Sequence, residues 1–421
     1  YTQIVWNIED LNITMIHSRK LSAKAVLTLT VRAESRVDAQ AAADVETDDA
    51  GLQVLKRSVP AATLAVRRKD IYRVREEVSV SANKPNIETI LWQEMRLRDV
   101  SVRPLDGKLH LDGELSVFLI YSGEGEHTPV QWLEESIPFS GEVELSEAVE
   151  EMIPAVGVRI LHADKKPDSD GEMREVEVEA VLELDIRLYK EESVELLSDL
   201  YSTGCEVVSE QGEVCFDRLL TRNSCKMRVG GSVSFQKPDR ILQICHSSGI
   251  VRLDESRPSE NGLAIEGVLE VSLLYLTDDD AAPVGAISEV LPFSGTVEAE
   301  GIREDCVWQL NLGLEQLGAV MLGGGEAEVK AQLTVELLVF QPMQEAVVTS
   351  VQTQPFDLKR WEQQPGIVGY IVQPGDSLWK IAKKFHTTVD QVREMNEIDG
   401  EEAGAGERLL LIKEVTAGNC S

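Results

Sequence analysis

Histidine, cysteine and aromatic residues are scarce in this chain of 421 residues, which holds 6 histidines, 6 cysteines and 5% aromatic residues. No two cysteines form a C-x-x-C pair, and no two histidines are close enough in the chain to share one face of a helix. A disulfide framework, a structural zinc site and a local catalytic set are therefore not expected. Reduced, buried thiols are the better interpretation of the cysteines, and only a set assembled from distant residues stays open.

Basic charge and long apolar runs are also lacking. The 41 lysines and arginines are outnumbered by 73 aspartates and glutamates, which leaves a formal net charge of −32. Nucleic-acid binding needs a basic footprint and is not expected, whereas basic partners are favoured. No apolar run approaches the about 18 residues of a membrane span. The common nucleotide-binding, hydrolase and metalloprotease motifs are absent, so the sequence predicts no enzyme, no cofactor and no metal site.

An internal repeat covers most of the first 350 residues. Residues 137–144 read Ile-Pro-Phe-Ser-Gly-Glu-Val-Glu and return at 291–298 as Leu-Pro-Phe-Ser-Gly-Thr-Val-Glu. Residues 109–121 return at 263–275 with the same offset. Apolar residues alternate with a period of two, which is typical of half-buried strands. The sequence predicts two all-β copies of one unit. They span residues 51–200 and 201–350, with superimposable modules at 66–190 and 220–342.

Small residues recur inside the repeated strands. Gly113 and Gly267 occupy the same place in the two copies, as do Ala180 and Ala331 in a later strand of each copy. A small residue within a strand indicates close backbone approach or a bulge.

The remaining segments before the C-terminus follow from the repeat. Residues 1–36 resemble residues 307–337 and are expected to be the C-terminal remnant of an earlier copy, most of which would precede Tyr1. Residues 37–50 form an acidic, alanine-rich linker with no apolar face, and residues 351–368 are expected to be a second linker.

A different pattern begins near residue 370. A short alternating strand is broken by Pro374-Gly375, and Asp376 is a candidate N-cap for a helix with apolar residues at the 3.6-residue spacing. Thr388 and Gln391 have the spacing of a capping box for a second helix. Residues 409–412 form a closing strand, so the order is βααβ.

This C-terminal pattern resembles the LysM domain, here residues 369–415. The resemblance rests on Tyr370, Val372, Gly375, Asp376, Ser377, Leu378, Ile381, Ala382, Phe385, Asn396, Ile398, Gly406, Leu409 and Ile412. LysM domains hold N-acetylglucosamine polymers and, in some spore proteins, other proteins. The resemblance implies a groove with Gly375, Asp376, Ser377 and Leu378 on one side and Asn396, Glu397, Ile398 and Asp399 on the other. Helix capping by Asp376 and Ser377, and core packing by Leu378 and Ile398, are competing interpretations of four of these residues.

The whole layout resembles the SipL-like spore coat morphogenetic proteins, in which tandem SPOCS domains precede one LysM domain. The resemblance rests on the two Pro-Phe-Ser-Gly segments, the strands of Gly113 and Gly267 and the LysM residues. It implies a mainly β fold, with β-sandwich-like SPOCS repeats followed by a small α+β LysM domain.

The family resemblance also implies a function. It predicts a non-enzymatic adaptor that binds the coat ATPase or other coat proteins, in the mother-cell cytoplasm at the forespore surface. The alternative is a peptidoglycan-binding or N-acetylglucosamine-binding protein of the cell wall or spore cortex. A signal peptide upstream would favour the alternative.

Two features of the LysM segment favour a protein ligand over a glycan. The loop 399–402 is acidic, like peptidoglycan, and Lys413 stands where LysM domains often have proline. Trp379 interrupts the apolar stripe of its helix, so we expect its ring to be at least partly exposed. The basic and aromatic set of Trp379, Lys380, Lys383 and Lys384 is the predicted partner-binding patch. Packing of Trp379 over the edge of its own domain is the competing interpretation.

Overall fold

The structure, a computed structural model, describes residues 2–33, 35, 37–38, 40–125, 130–167, 174–235, 241–279, 282–322, 325–355, 365–398, 400 and 403–413. The elements in chain order are β1 Thr2–His17, β2 Lys20–Ala33, β3 Leu52–Ser79, β4 Ile87–Leu105, β5 Lys108–Gly123, β6 Gln131–Glu144, β7 Ile153–Pro154, β8 Gly157–Pro167, β9 Glu175–Ser202, β10 Glu206–Ser234, β11 Ile241–Ser259, β12 Gly262–Thr277, β13 Val284–Glu298, β14 Val307–Leu322, β15 Glu326–Gln354, β16 Ile367–Ile371, α1 Leu378–Phe385, α2 Val389–Asn396 and β17 Arg408–Ile412. The prediction of a mainly β chain with two helices near its C-terminus is confirmed.

The first repeat is a sandwich of two antiparallel sheets. One sheet has the order β3-β9, with β7 and β8 both pairing with β9, and the other has the order β4-β5-β6. The alternating apolar residues of β5 and β9 form the centre of one shared core, in which Leu111, Leu115, Leu182 and Leu184 are 0% exposed. Each such side chain contributes roughly 2 kcal/mol of burial free energy. Because a shift of one residue would turn these side chains to the solvent face, the period-two pattern favours the register seen in this sandwich.

The second repeat repeats this arrangement. Its sheets have the orders β10-β15-β14 and β11-β12-β13, and they share a second core. The strands β3, β9, β10 and β15 are 28 or 29 residues long and reach beyond both cores. Beyond the cores, the paired strands β3 and β9 form one arm, and the paired strands β10 and β15 form another. The two arms pack on each other through Val59, Leu196, Val214 and Val347. The two repeats are therefore joined by a hydrophobic contact as well as by the chain.

Both alternatives predicted for the two strand glycines are present, because each has a close contact and lies opposite a register shift in the neighbouring strand. Gly113 pairs with Phe139, and a Cβ at Gly113 would lie 2.8 Å from the Phe139 ring. Gly267 pairs with Phe293, and a Cβ there would lie 2.7 Å from the ring and would overlap the carbonyl oxygen of Arg252. Each Pro-Phe-Ser-Gly segment thus lays a phenylalanine ring over a glycine of the neighbouring strand, which explains why the two motifs recur together.

The N-terminal segments are less enclosed. The strands β1 and β2 form a two-stranded antiparallel hairpin whose large apolar residues are exposed, Trp6 to 61%. The acidic segment that follows is not wholly polar in its contacts. Its Ala42 and Val45 pack beside Val348 near the end of the arms, and the backbone N–H of Leu197 donates to the Ala42 carbonyl over 2.8 Å.

A buried histidine lies at the junction of the two sandwiches. His246 of β11 has its Nε2 3.0 Å from Glu94 of β4 and its Nδ1 3.5 Å from Glu134 of β6. Its ring stacks on Phe118 at 4.0 Å, and Arg96 forms an ion pair with Glu94 and donates to the Gly249 carbonyl. Burial lowers the pKa of His246, but the two carboxylates outweigh it, and the net pKa is raised. Burial raises the pKa of Glu94, but His246 and Arg96 together lower it further, so its net pKa is lowered. The bond to His246 lowers the pKa of Glu134 more than burial raises it.

We expect this junction to make stability depend on pH. A raised histidine pKa adds stability below its ordinary value of 6.5, and that stability is lost as the pH rises through the raised value. The lowered glutamate pKa values add stability above 4.5, which is lost as the pH falls. The melting temperature should therefore fall as the pH rises above 6.5, and His246→Gln should flatten that slope. Calorimetric scans from pH 5 to 9 test this, and equal slopes in both proteins would contradict it.

Candidate functional site

The C-terminal domain folds in the βααβ order that the sequence predicted. The strands β16 and β17 pair antiparallel, and the helices cover one face of this small sheet. The apolar stripe of α1 turns inward, with Leu378 2% and Ala382 0% exposed. The Thr388–Gln391 capping box at α2 is present as predicted.

The N-cap of α1 is Ser377 rather than Asp376. The Ser377 hydroxyl accepts the backbone N–H of Lys380 over 3.2 Å. The Asp376 carboxylate instead closes the preceding turn, because it accepts the Gln373 backbone N–H over 2.9 Å and the Tyr370 hydroxyl over 2.7 Å. The hydrogen bond from the Gln373 N–H, and to a lesser degree the one from the Tyr370 hydroxyl, lowers the pKa of Asp376. The bond to Asp376 raises the pKa of Tyr370. Asp376 thus holds the turn in its charged form.

The first side of the expected groove is built mainly from residues with structural roles. Gly375 is exposed and has φ +88°, a backbone conformation that favours glycine. Asp376 and Ser377 use their side-chain oxygens for the turn and the cap, and Leu378 lies in the domain core. Gly375 is therefore the most accessible residue on this side.

On the second side, Asn396 ties α2 to the closing strand. Its amide donates to the carbonyls of Val392 over 2.8 Å and Leu410 over 2.9 Å, and its oxygen accepts the Leu410 N–H over 2.6 Å. Glu397 ends α2 with φ +55° and is exposed, whereas Ile398 packs against the core. Asp399 and the acidic residues 401 and 402 lie outside the described residues.

The four residues of the predicted basic and aromatic patch lie on two different faces of α1. Lys380 and Lys384 are exposed, with the Lys384 ammonium 5.2 Å from the centre of the Tyr370 ring. Trp379 and Lys383, four residues apart, lie on a different face of α1 and are only partly exposed. The partial exposure expected for Trp379 is what the structure has, although its covering comes from outside the LysM domain.

The end of β9 in the first repeat covers Trp379 and Lys383. Asp199 accepts the Trp379 indole N–H over 2.8 Å and the Lys383 ammonium over 2.6 Å. The Tyr201 ring lies 4.8 Å from the Trp379 ring, and its hydroxyl donates to the Thr387 carbonyl over 2.8 Å. Tyr201 is 4% exposed and belongs to the LysM core. Sequence reasoning missed both β9 residues, because no local pattern links them to a domain so far along the chain.

The site consists of polar and charged groups that can recognise a ligand by hydrogen bonds and charge. Within the described ranges there is no group of three or more histidine, cysteine or acidic residues placed to hold a metal ion. The described helices include none that is long and apolar enough to cross a membrane. The exposed ammonium groups are those of Lys380 and Lys384, whereas the Trp379 indole N–H and the Lys383 ammonium are bound to Asp199.

Comparison with known families agrees with this geometry. A family model described as SipL, SPOCS domain matches residues 86–167 and 240–322, and a model described as LysM domain matches residues 370–411. No curated protein and no solved structure matches the chain. Both resemblances predicted from the sequence are confirmed. SPOCS and LysM are non-catalytic domain families. The SPOCS matches are consistent with a sporulation protein associated with the spore coat, and the LysM match is consistent with a module of the peptidoglycan-binding type.

Proposed function

We propose that this chain, a SipL-like protein with two SPOCS domains and a C-terminal LysM domain, is a non-enzymatic adaptor of spore coat assembly. Its LysM domain binds the coat-basement ATPase at the forespore surface, on the mother-cell side. The SPOCS repeats serve as the scaffold and as a second interaction surface.

One observation carries the choice of a protein ligand. The LysM face formed by Trp379 and Lys383 already binds polypeptide, because it binds the end of β9 through an aromatic contact and two hydrogen bonds. The side chains of Asp376, Ser377 and Asn396, by contrast, are used within the domain itself. Tryptophan is among the residues most enriched at interface hot spots.

The repeats suit a scaffold. Two sandwiches joined by packed arms keep the LysM domain at the arm end, where β9 meets α1. The net charge of −32 supplies an acidic surface that favours basic regions on partners and opposes contact with anionic polymers.

We expect Trp379→Ala combined with Lys383→Glu to abolish co-purification of the coat ATPase with the full chain. Loss of an interface tryptophan and reversal of a neighbouring charge should cost about 2 kcal/mol or more of binding, roughly 30-fold in Kd. The measurement is a pull-down from sporulating cells, followed by titration with the purified ATPase.

The matched control carries the same two kinds of substitution elsewhere, at exposed Trp6→Ala and Lys330→Glu. It should retain the ATPase. Circular dichroism and limited proteolysis check that both variants stay folded. If the LysM variant still recruits the ATPase at wild-type affinity, this face is not the binding face.

The second candidate function is glycan binding, which the LysM match at residues 370–411 favours. We expect the full chain to show no saturable binding of chitooligosaccharide in an amide NMR titration, since the side chains of Asp376, Ser377 and Asn396 are already engaged within the domain. Tight, saturable shifts at Asp376, Ser377 and Asn396 would instead favour the glycan function.

A further inference from the structure

A single carboxylate connects the LysM helix to the first repeat. One oxygen of Asp199 accepts the Trp379 indole N–H, and its other oxygen accepts the Lys383 ammonium. Because residues four apart lie on one face of a helix, one aspartate can engage both. The Asp199 side chain is 21% exposed and that of Lys383 is 38% exposed, so the contact lies at the rim of the interface.

Tyr201, two residues further along β9, forms the centre of the same contact. Its ring meets the Trp379 ring edge to face, and its hydroxyl is bonded to the carbonyl of Thr387, which is itself 1% exposed. The contact therefore has a buried aromatic centre and a polar rim, as protein interfaces do. We call the pair Asp199 and Tyr201 the arm tip.

We propose that the arm tip is a binding site for the α1 face of the LysM domain, and that this docking competes with the coat ATPase for Trp379 and Lys383. The proposal rests on the proposed function, because it concerns the same two residues. A partner that takes the Trp379 indole N–H must displace Asp199, since that N–H has one hydrogen to donate. The docked form is then the resting state of the adaptor, and undocking frees Trp379 and Lys383 to bind the ATPase.

The competition has a quantitative consequence. A ligand that binds only the undocked state has an apparent Kd equal to its intrinsic Kd divided by the undocked fraction. Removing the Asp199 carboxylate leaves every residue of α1 in place but takes away two charge-assisted hydrogen bonds of the docked state. We expect Asp199→Ala to shift the docking equilibrium about tenfold, and so to tighten ATPase binding about tenfold while docking dominates.

The docking is measured first, without any partner. The chain has six tryptophans, and the indole N–H signal of Trp379 is identified in an NMR spectrum by its loss in Trp379→Ala. Asp199→Ala should shift that signal, and Asp199→Asn should shift it less, because the amide oxygen still accepts from the indole. An unmoved signal in Asp199→Ala would overturn the docking.

The competition is measured next, by titrating each full-length variant with the purified coat ATPase. The control is Asp70→Ala, which removes a strand aspartate of similar exposure, 20%, from an ion pair with Arg68. Tighter binding by Asp199→Ala and unchanged binding by Asp70→Ala are expected. If Asp199→Ala moves the indole signal but leaves the Kd unchanged or weaker, the competition is overturned and the adaptor function stands. If the Trp379→Ala and Lys383→Glu double variant keeps wild-type affinity, the ATPase does not bind this face, and the proposed contact between the LysM domain and the ATPase fails together with the competition.

Discussion

Gly267→Ala is expected to lower the free energy of unfolding of the second repeat by about 3 kcal/mol. A Cβ at this position would overlap the Arg252 carbonyl oxygen and lie 2.7 Å from the Phe293 ring. Neither group can move freely, because the carbonyl belongs to the paired strand β11 and the ring is 7% exposed in the core. The added methyl must therefore displace backbone. Urea unfolding followed by circular dichroism measures the loss.

A glycine in the same repeat supplies the control. Gly313 lies in β14, and a Cβ there would have no atom within 4 Å. Gly313→Ala should be neutral or stabilising by about 0.5 kcal/mol, because alanine reduces the freedom of the unfolded chain. Equal losses in the two variants would mean that the close approach at Gly267 is not what constrains the strand.

Tyr201→Ala is expected to lower the free energy of opening of the LysM helix α1 by about 3 kcal/mol. The truncation removes a buried ring from the LysM core together with its hydrogen bond to Thr387, although Tyr201 belongs to β9 of the first repeat. Hydrogen exchange of the α1 amides measures this opening free energy. Exchange in the β9 core around Leu184 should stay unchanged.

Tyr201→Phe separates the ring from the hydroxyl. It keeps the contact with Trp379 and loses only the bond to the Thr387 carbonyl, so about 1 kcal/mol is expected. If Tyr201→Ala leaves α1 exchange at the wild-type rate, then the LysM domain does not depend on the arm tip.

The sequence predicted the type of nearly every element because the relevant signals are local. Period-two alternation identified the strands, and the Pro-Phe-Ser-Gly segments identified the repeat. The pairing of Gly113 with Phe139 could be anticipated only as a close approach of unknown origin. Strand order was not predictable, since the paired residues of antiparallel partners such as β3 and β9 are 96 to 150 residues apart, from Ser79–Glu175 to Leu52–Ser202.

The LysM prediction failed by one residue at the first helix cap. Asp376 and Ser377 are both good N-cap residues, so the sequence gives no reason to prefer either. The choice is made by Tyr370, whose hydroxyl engages the aspartate and leaves the serine to cap the helix. Likewise, the motif residue Asn396 could be assigned to a groove, whereas its bonds to Leu410 give it the role of holding the closing strand.

The sequence by itself determined that this protein is two β repeats followed by a LysM domain, and that Trp379 lies outside the apolar stripe of its helix. Those properties follow from spacing along the chain. Only the tertiary structure decided what covers Trp379, because Asp199 is 180 residues away and its carboxylate meets the indole through the path of the long β9 arm. A periodic pattern indicates which side of a helix or strand is apolar. The partner of a polar side chain, however, depends on which distant segments of the chain the tertiary fold brings beside it.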